Sequence, residues 1–217
     1  MRKAVLPVYY DITTGMSDHI SIEVFKDVET PHVDPSIALP AIRYISQLTA
    51  GSLQTTDSFR ELQVSRKQHA PIITPADTEV FLNTSTDIAL VLTERDLAVE
   101  GIATVLGYSQ RNPEKGGGVA VVSTFHTSPE IATLTAAHEI GHLYGLTYGD
   151  TQTELHCDDT TCIMHTKALF CEIKTHRSSH LSFENQAFCA PCRKQLGRRA
   201  LFMLRHRSGL FVPYDLR

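Results

Sequence analysis

The segment "SPEIATLTAAHEIGHLYGL", residues 128–146, constrains the fold of this sequence more than any other stretch. Its pattern predicts an α-helix, because Ser128 can cap the N-terminus and Pro129 suits the first helical position. Gly145 can adopt the left-handed conformation that ends many helices. Any fold of this chain therefore has to accommodate a helix with two histidines and a glutamate near its C-terminal end.

The two histidines of this helix have the spacing of metal ligands. His138 and His142 are four residues apart, so their imidazoles leave the same face of a helix and can share one cation. Glu139 is rotated away from that line and can act instead as general base toward a metal-activated water. The three residues predict a zinc site, in which the ion lowers the pKa of its water to about 7 and polarises a carbonyl.

The five cysteines all fall between residues 157 and 192. The N-terminal stretch "MRKAVLPVYYDITTG" has only a short apolar run, broken by Pro7, so we interpret it as a first β-strand and not as a signal peptide. Without export the expected compartment is the reducing cytoplasm, where clustered cysteines are thiols or metal ligands more often than disulfides. The C-terminal part of the chain is therefore expected to be rich in metal ligands.

The remaining pattern predicts an α/β fold. Strands are predicted at "HISIEVFKD", "TDIALVLTERDL" and "GGGVAVVSTFH", and helices at "DPSIALPAIRYISQLTAGS", "TPADTEVFLN" and the basic "CAPCRKQLGRRALFMLRHRSG". Strands interleaved with helices and followed by a metal-rich part predict an N-terminal α/β subdomain over residues 1–146 and an irregular C-terminal subdomain over 147–217.

A third protein ligand for the zinc has to come from beyond Gly145, and the residues alone leave several candidates. Tyr148 stands where zinc helices of this kind usually have their next ligand, but a neutral phenol binds zinc poorly. Asp150, His156 and His165 are better donors, as a carboxylate or as imidazoles. Spacing alone does not choose among them.

The residues that follow His156 resemble the pattern of the archaemetzincins. In that family a zinc helix with a glycine is followed by a histidine joined directly to a cysteine. Four residues, a second cysteine, one residue and a methionine come next, and a pair of cysteines two residues apart comes later. The stretches "HCDDTTCIM" and "CAPC" match that pattern. The matching positions are His138, Glu139, His142, Gly145, His156, Cys157, Cys162, Met164, Cys189 and Cys192.

The resemblance implies two zinc ions per chain, one catalytic and one structural. Glu139 would be the catalytic base, and Met164 would form a methionine turn beneath the catalytic ion. Four thiolates in two short-spaced pairs suit a closed structural site, whereas three imidazoles leave a fourth position open for water. The implied ligands are His138, His142 and His156 for the catalytic zinc, and Cys157, Cys162, Cys189 and Cys192 for the structural zinc.

The resemblance also implies a metzincin-like single compact domain with a twisted mixed sheet, an active-site helix and an irregular zinc-stabilised C-terminal subdomain that ends in a helix. The stretch "VAVVSTFH" resembles the substrate-side edge strand of the family. One departure concerns the third ligand. The connection to His156 contains the eight-residue insertion "TYGDTQTE", which keeps Asp150 open as an alternative.

The implied function is a zinc-dependent peptidase that cleaves peptides or small proteins with a zinc-bound water activated by Glu139. A net charge of −4 argues against a nucleic-acid partner. A membrane helix is not expected, since no stretch approaches the roughly 18 apolar residues that one needs. Two alternatives remain open: a non-catalytic zinc-stabilised binding module with a vestigial histidine site, and a zinc amidase acting on small substrates.

Overall fold

The computed structural model describes residues 19–27, 30, 32–55, 60–62, 72–73, 76, 86–99, 102–112, 117–146, 156–165 and 188–207. Three predictions lie wholly or mostly outside these residues: the first strand, the helix at "TPADTEVFLN" and the insertion "TYGDTQTE", with its candidate ligand Asp150. Among the described residues, no helix is long and apolar enough to cross a membrane.

In the described part of the chain, nine strands form two sheets. They are β1 Ile20–Asp27, β2 Leu53–Thr55, β3 Arg60–Leu62, β4 Ile72–Ile73, β5 Ile88–Thr93, β6 Asp96–Val99, β7 Ile102–Val105, β8 Gly107–Asn112 and β9 Gly117–Ser123. The main sheet has the order β2-β1-β5-β9-β8, with β3 also paired to β1. Its strands are parallel except β8, which runs antiparallel to β9. The small sheet has the order β4-β6-β7.

The predicted central strands are those with uninterrupted apolar runs. Every residue of β5 and of β9 is buried, as expected for parallel strands that are covered on both faces. The prediction of one strand at "TDIALVLTERDL" is wrong in detail, because the chain turns after Thr93 and β6 leaves for the small sheet. The predicted α/β fold with a mixed sheet is confirmed.

The assignment of "VAVVSTFH" to the edge of the sheet is wrong. Its strand, β9, lies between β5 and β8, and the edge on this side is formed by β8. The sequence of β8, "GYSQRN", has too few apolar residues to predict a strand. An edge strand needs fewer of them, since one of its sides has no neighbouring strand in the described part of the chain.

Three α-helices lie among the described residues. Helix α1, Leu39–Leu48, follows a 3-10 turn at Pro35–Ala38, so Pro40 falls in its first turn and does not kink its interior. Helix α2 spans Pro129–Leu143 and packs on β8 and β9. Helix α3 spans Ala190–Arg207, the basic C-terminal helix that the sequence predicts.

Both ends of α2 form as the sequence predicts. The Ser128 hydroxyl accepts a hydrogen bond from the amide of Ile131, and Pro129 occupies the first turn. At the other end Gly145 has a φ of +80°. Its amide donates to the His142 carbonyl at 2.8 Å, and the Leu146 amide donates to that of Gly141 at 3.0 Å, which is a Schellman motif. The caps therefore fix where the histidine-bearing turn stops.

A buried ion pair joins two strands of the main sheet. The guanidinium of Arg95, just after β5, lies 2.9 Å from a carboxylate oxygen of Asp27 on β1, and both side chains are almost fully buried. The Thr93 hydroxyl donates a further hydrogen bond to Asp27 at 3.0 Å. The carboxylate therefore has charged and neutral donors that replace the water it loses on burial.

Replacing Asp27 with alanine is expected to destabilise the protein by about 3–5 kcal/mol, since it removes the buried carboxylate that pairs with the buried Arg95 guanidinium. The matched control is Asp34→Ala, which removes an exposed carboxylate that caps the 3-10 turn and is expected to cost about 1 kcal/mol. Urea unfolding of both variants measures the two values, and equal losses would contradict this assignment.

Candidate metal centre

Three histidines from two separate segments converge at the C-terminal end of α2. The ring centroids of His138 and His142 are 4.7 Å apart, and those of His156 lie 5.2 and 5.3 Å from them. The Nε2 atoms of His138 and His142 are 3.0 Å apart, close to the separation of about 3.3 Å expected for two nitrogens on one tetrahedral zinc. The ligand atoms of all three lie within 4.8 Å of one another, so this donor set fits a shared zinc ion.

Backbone carbonyls fix which ring nitrogens of α2 face the centre. Nδ1 of His138 lies 2.7 Å from the carbonyl oxygen of Ile163, and Nδ1 of His142 lies 3.2 Å from that of Leu146. Since a carbonyl can only accept, each Nδ1 carries the proton and each Nε2 keeps its lone pair for a metal. Hydrogen bonds from Nδ1 to backbone carbonyls give both rings the orientation expected of imidazoles that bind a metal through Nε2.

Burial keeps both imidazoles of α2 neutral. Desolvation, followed by the charge of His142, lowers the pKa of His138 to about 3. Desolvation, followed by the charge of His156, lowers the pKa of His142 to about 4. Metal ligation requires neutral imidazole, so both side chains are in the required state throughout the neutral range.

His156 reaches the centre on a short turn formed by residues 156–165. The Cys157 amide donates to the Met164 carbonyl at 3.0 Å, which closes the turn on itself. The same turn supplies the Ile163 carbonyl that orients His138. Met164 is buried beneath α2, where its sulfur would lie 2.7 Å from a Cβ placed on Gly141. Glycine at that position leaves the room that the methionine fills.

The four cysteines of the resemblance form a second group beside this turn. The sulfur of Cys189 lies 3.6 Å from that of Cys157 and 3.2 Å from that of Cys192, and the sulfurs of Cys162 and Cys192 are 3.4 Å apart. Thiolates on one tetrahedral zinc lie about 3.8 Å apart, so four sulfurs at these distances fit a closed site. All four are free thiols.

Local hydrogen bonds favour a thiolate in this group. The hydrogen bond with Cys192 is the largest cause that lowers the pKa of Cys162, to about 5, and the Cys189 amide also donates to its sulfur, at 3.3 Å. Burial has the opposite effect on Cys189 and raises the pKa of its thiol to about 11. A divalent cation would hold all four in the thiolate form, since ligation displaces the proton.

Glu139 lies next to the histidines but points toward the edge strand. It is only 6% exposed, and this burial raises the pKa of its carboxyl group to about 8, while a hydrogen bond from the Ser109 side chain opposes the rise. A Cβ on Gly107 would lie 2.8 Å from Cγ of Glu139 and 2.9 Å from its Oε1. The carboxyl group is thus enclosed between α2 and β8.

The structure brings together all seven predicted metal ligands, in the two groups that the resemblance implied. His165 belongs to neither group of the described residues, and the alternatives Tyr148 and Asp150 lie outside them. Sequence reasoning missed Gly107 and Ser109, which contact the predicted base. No local motif marks them, because their role depends on the position of β8 beside α2.

A family model described as "Reprolysin (M12B) family zinc metalloprotease" matches residues 77–188, slightly more than half of the chain. That range includes α2, the three histidines and two of the four cysteines of the second group, Cys157 and Cys162, while Cys189 and Cys192 lie just beyond its end.

The solved structures that are similar to this fold include the following three. Archaemetzincin from Methanopyrus kandleri has a TM-score of 0.61 and 21% identity, covering 86% of this chain and 98% of its own. Archaemetzincin from Archaeoglobus fulgidus, solved with malonate, has a TM-score of 0.54 and 18% identity, covering 81% of this chain and 99% of its own. A zinc-dependent peptidase from Methanocorpusculum labreanum has a TM-score of 0.52 and 20% identity, with the same two coverages. The predicted archaemetzincin fold is confirmed. A search of curated protein sequences finds no match.

The raised pKa of Glu139 predicts a pH-dependent stability of the zinc-free protein. The native state keeps this proton up to about pH 8, whereas the unfolded chain loses it near the ordinary glutamate pKa of 4.5, so the native state binds more protons between these two pH values. The contribution of Glu139 to stability is therefore lost as the pH rises through this window. Glu139→Gln cannot titrate, so its stability relative to the parent should rise over the same window.

Urea unfolding of the zinc-free parent and the zinc-free Glu139→Gln variant, at about pH 5 and about pH 8, measures this difference. The histidines titrate alike in both proteins, so their contribution cancels from the comparison. A difference in unfolding free energy that is the same at the two pH values would show that the Glu139 carboxyl group is not buried as described.

Proposed function

We propose that this chain, which belongs to the reprolysin (M12B) family of zinc metalloproteases, hydrolyses peptide bonds with Glu139 as the general base. The observation that carries the proposal is the placement of one buried carboxyl group beside three converging imidazoles. A purely structural zinc site has no use for an acid in that position. Three protein ligands also leave one tetrahedral position for water or substrate.

Each residue of the centre has a role that follows from its contacts. His138, His142 and His156 would hold the zinc, which when bound polarises the scissile carbonyl and makes a water acidic enough to react near neutral pH. Glu139 would accept a proton from the attacking water at its carboxylate and deliver it to the leaving amine. A nearby dication favours the carboxylate form that this role requires, and so offsets the effect of burial on its pKa.

The edge strand β8 offers a docking site for an extended substrate. The Ser123 amide donates to the Leu106 carbonyl at 2.8 Å. Since paired residues in an antiparallel ladder alternate between bonded and non-bonded, the amides and carbonyls of Gly107, Ser109 and Arg111 point away from β9. A peptide that adds to this edge as a strand would bind through these groups and lie close to Glu139.

The four cysteines would hold a second, structural zinc ion. Cys157 follows His156 directly. Cys162 is the residue before Ile163, whose carbonyl orients His138. A metal on the thiolates would therefore hold the turn that supplies one catalytic ligand and orients another. Thiolate ligands persist in a reducing compartment, in keeping with a cytoplasmic location. We propose peptides or small proteins as substrates, and neither nucleic acid nor membrane as a partner.

Glu139→Ala is expected to reduce peptide hydrolysis by about 10²- to 10⁴-fold, the usual contribution of a positioned base. The zinc content and the fold should not change, since Glu139 is not a ligand. The matched control is Glu130→Ala, which removes an exposed acid from the first turn of the same helix and should leave kcat/KM within about twofold. Retention of full activity by Glu139→Ala would contradict the proposed mechanism.

Metal analysis distinguishes the peptidase from a zinc-stabilised binding module. We expect two zinc ions per chain in the parent, with one lost in His142→Ala and the other lost in Cys192→Ala. The Cys192→Ala variant should also lose stability, because a zinc ion that binds only the native state stabilises the native state. A single zinc that survives His142→Ala would fit the binding module and would rule out the proposed enzyme.

A further inference from the structure

The contact between Ser109 and Glu139 connects the edge of the sheet to the proposed base. The side chain of Ser109 donates a hydrogen bond to the Glu139 carboxyl group, and the serine is half-buried. Side chains alternate along a strand, so Gly107, Ser109 and Arg111 face α2 while Tyr108 packs on the opposite face of the sheet. Ser109 is the residue of that face whose hydroxyl reaches the carboxyl group.

The fit between β8 and α2 leaves little freedom for the base. A Cβ on Gly107 would lie 2.7 Å from Cγ2 of Thr135 and 2.8 Å from Cγ of Glu139, closer than side chains normally approach. Gly107 therefore permits the strand to pack directly against the glutamate. Because β8 lies this close to Glu139, the hydroxyl of Ser109, two residues after Gly107, can hold one oxygen of the Glu139 carboxylate and leave the other oxygen for the water.

The main chain of Ser109 has a separate part in the site. Its amide and carbonyl point toward the open edge of β8, by the alternation that the bond from Ser123 to Leu106 sets. A substrate strand that pairs with this edge would thus contact the backbone of the same residue whose hydroxyl contacts the base. Substrate docking can therefore affect the position of Glu139 through Ser109 alone.

We propose that Ser109 is a positioning residue, which holds the Glu139 carboxylate in its reactive orientation and links that orientation to the strand on which the substrate docks. This inference rests on the proposed peptidase function. A hydrogen bond to a charged acceptor also narrows the directions in which the acceptor can point. The role differs from that of a ligand, since Ser109 contacts neither the histidines nor the cysteines in the described bonds.

The zinc-loaded Ser109→Ala protein is expected to lose about ten- to a hundredfold in kcat on a peptide that the parent cleaves, the usual range for a lost hydrogen bond to a charged group. KM should stay within about twofold, since the backbone of β8 is unchanged. Ser109→Thr keeps the hydroxyl and should restore most of kcat. The matched control is Ser36→Ala, which removes another serine-to-carboxylate hydrogen bond, to Asp34, on an exposed turn.

Two further measurements separate positioning from a structural effect. In a Glu139→Gln background, Ser109→Ala should change the residual rate far less than it does in the parent, since it acts through the carboxylate. A crystal structure of zinc-loaded Ser109→Ala should show the Glu139 side chain displaced or in several rotamers, with zinc and β8 in place. The structure tests the inference even where no substrate is cleaved, an outcome that by itself would count against the proposed function.

The proposal is overturned if Ser109→Ala keeps the parental kcat, or if its crystal structure shows Glu139 unmoved. It is also overturned if the variant loses activity only through lower thermal stability or lower zinc content, which would make Ser109 a structural residue. A loss in kcat with normal zinc content, normal melting temperature and threonine rescue supports it.

Discussion

The hydrogen bond from His138 to the Ile163 carbonyl is the interaction on which the rest of the centre depends. At 2.7 Å it fixes the tautomer and orientation of a ligand on α2, and its acceptor belongs to the turn that also contributes His156. The turn lies beside the four-cysteine group, since Cys157 and Cys162 belong to it. The position of the His138 imidazole is therefore coupled to the packing of the cysteines, because Ile163 directly follows Cys162 in the chain.

Close packing around α2 supplies the second constraint. The helix is buried along almost its entire length, with Met164 against one side and β8 against another. Glycines occupy the two closest approaches, Gly141 beneath the histidines and Gly107 beside Glu139. The guanidinium of Arg111 lies near Gly145, where a cation complements the negative end of the helix dipole. Glu139 and the two histidines of α2 are thus held by packed helix and sheet and not by surface loops.

The sequence predicted those features that short-range chemistry determines. The caps of α2, the spacing of His138 and His142 and the apolar runs of β5 and β9 each depend on neighbouring residues, and the structure has them in place. The edge strand β8 was not predicted, because its polar residues satisfy a packing requirement set by a helix distant in sequence. The residues alone did not choose the third ligand, since the spacing beyond Gly145 leaves several donors open, and it was the resemblance to the archaemetzincins that singled out His156.

The most direct test of the central claim is an anomalous-difference map at the zinc edge from crystals of the zinc-loaded protein. Our account predicts two peaks per chain, one among Nε2 of His138, His142 and an imidazole nitrogen of His156, and one among the four cysteine sulfurs. It also predicts the Ile163 carbonyl within hydrogen-bond distance of Nδ1 of His138. A map with no peak at the histidines, or with His156 turned away from that peak, would contradict it.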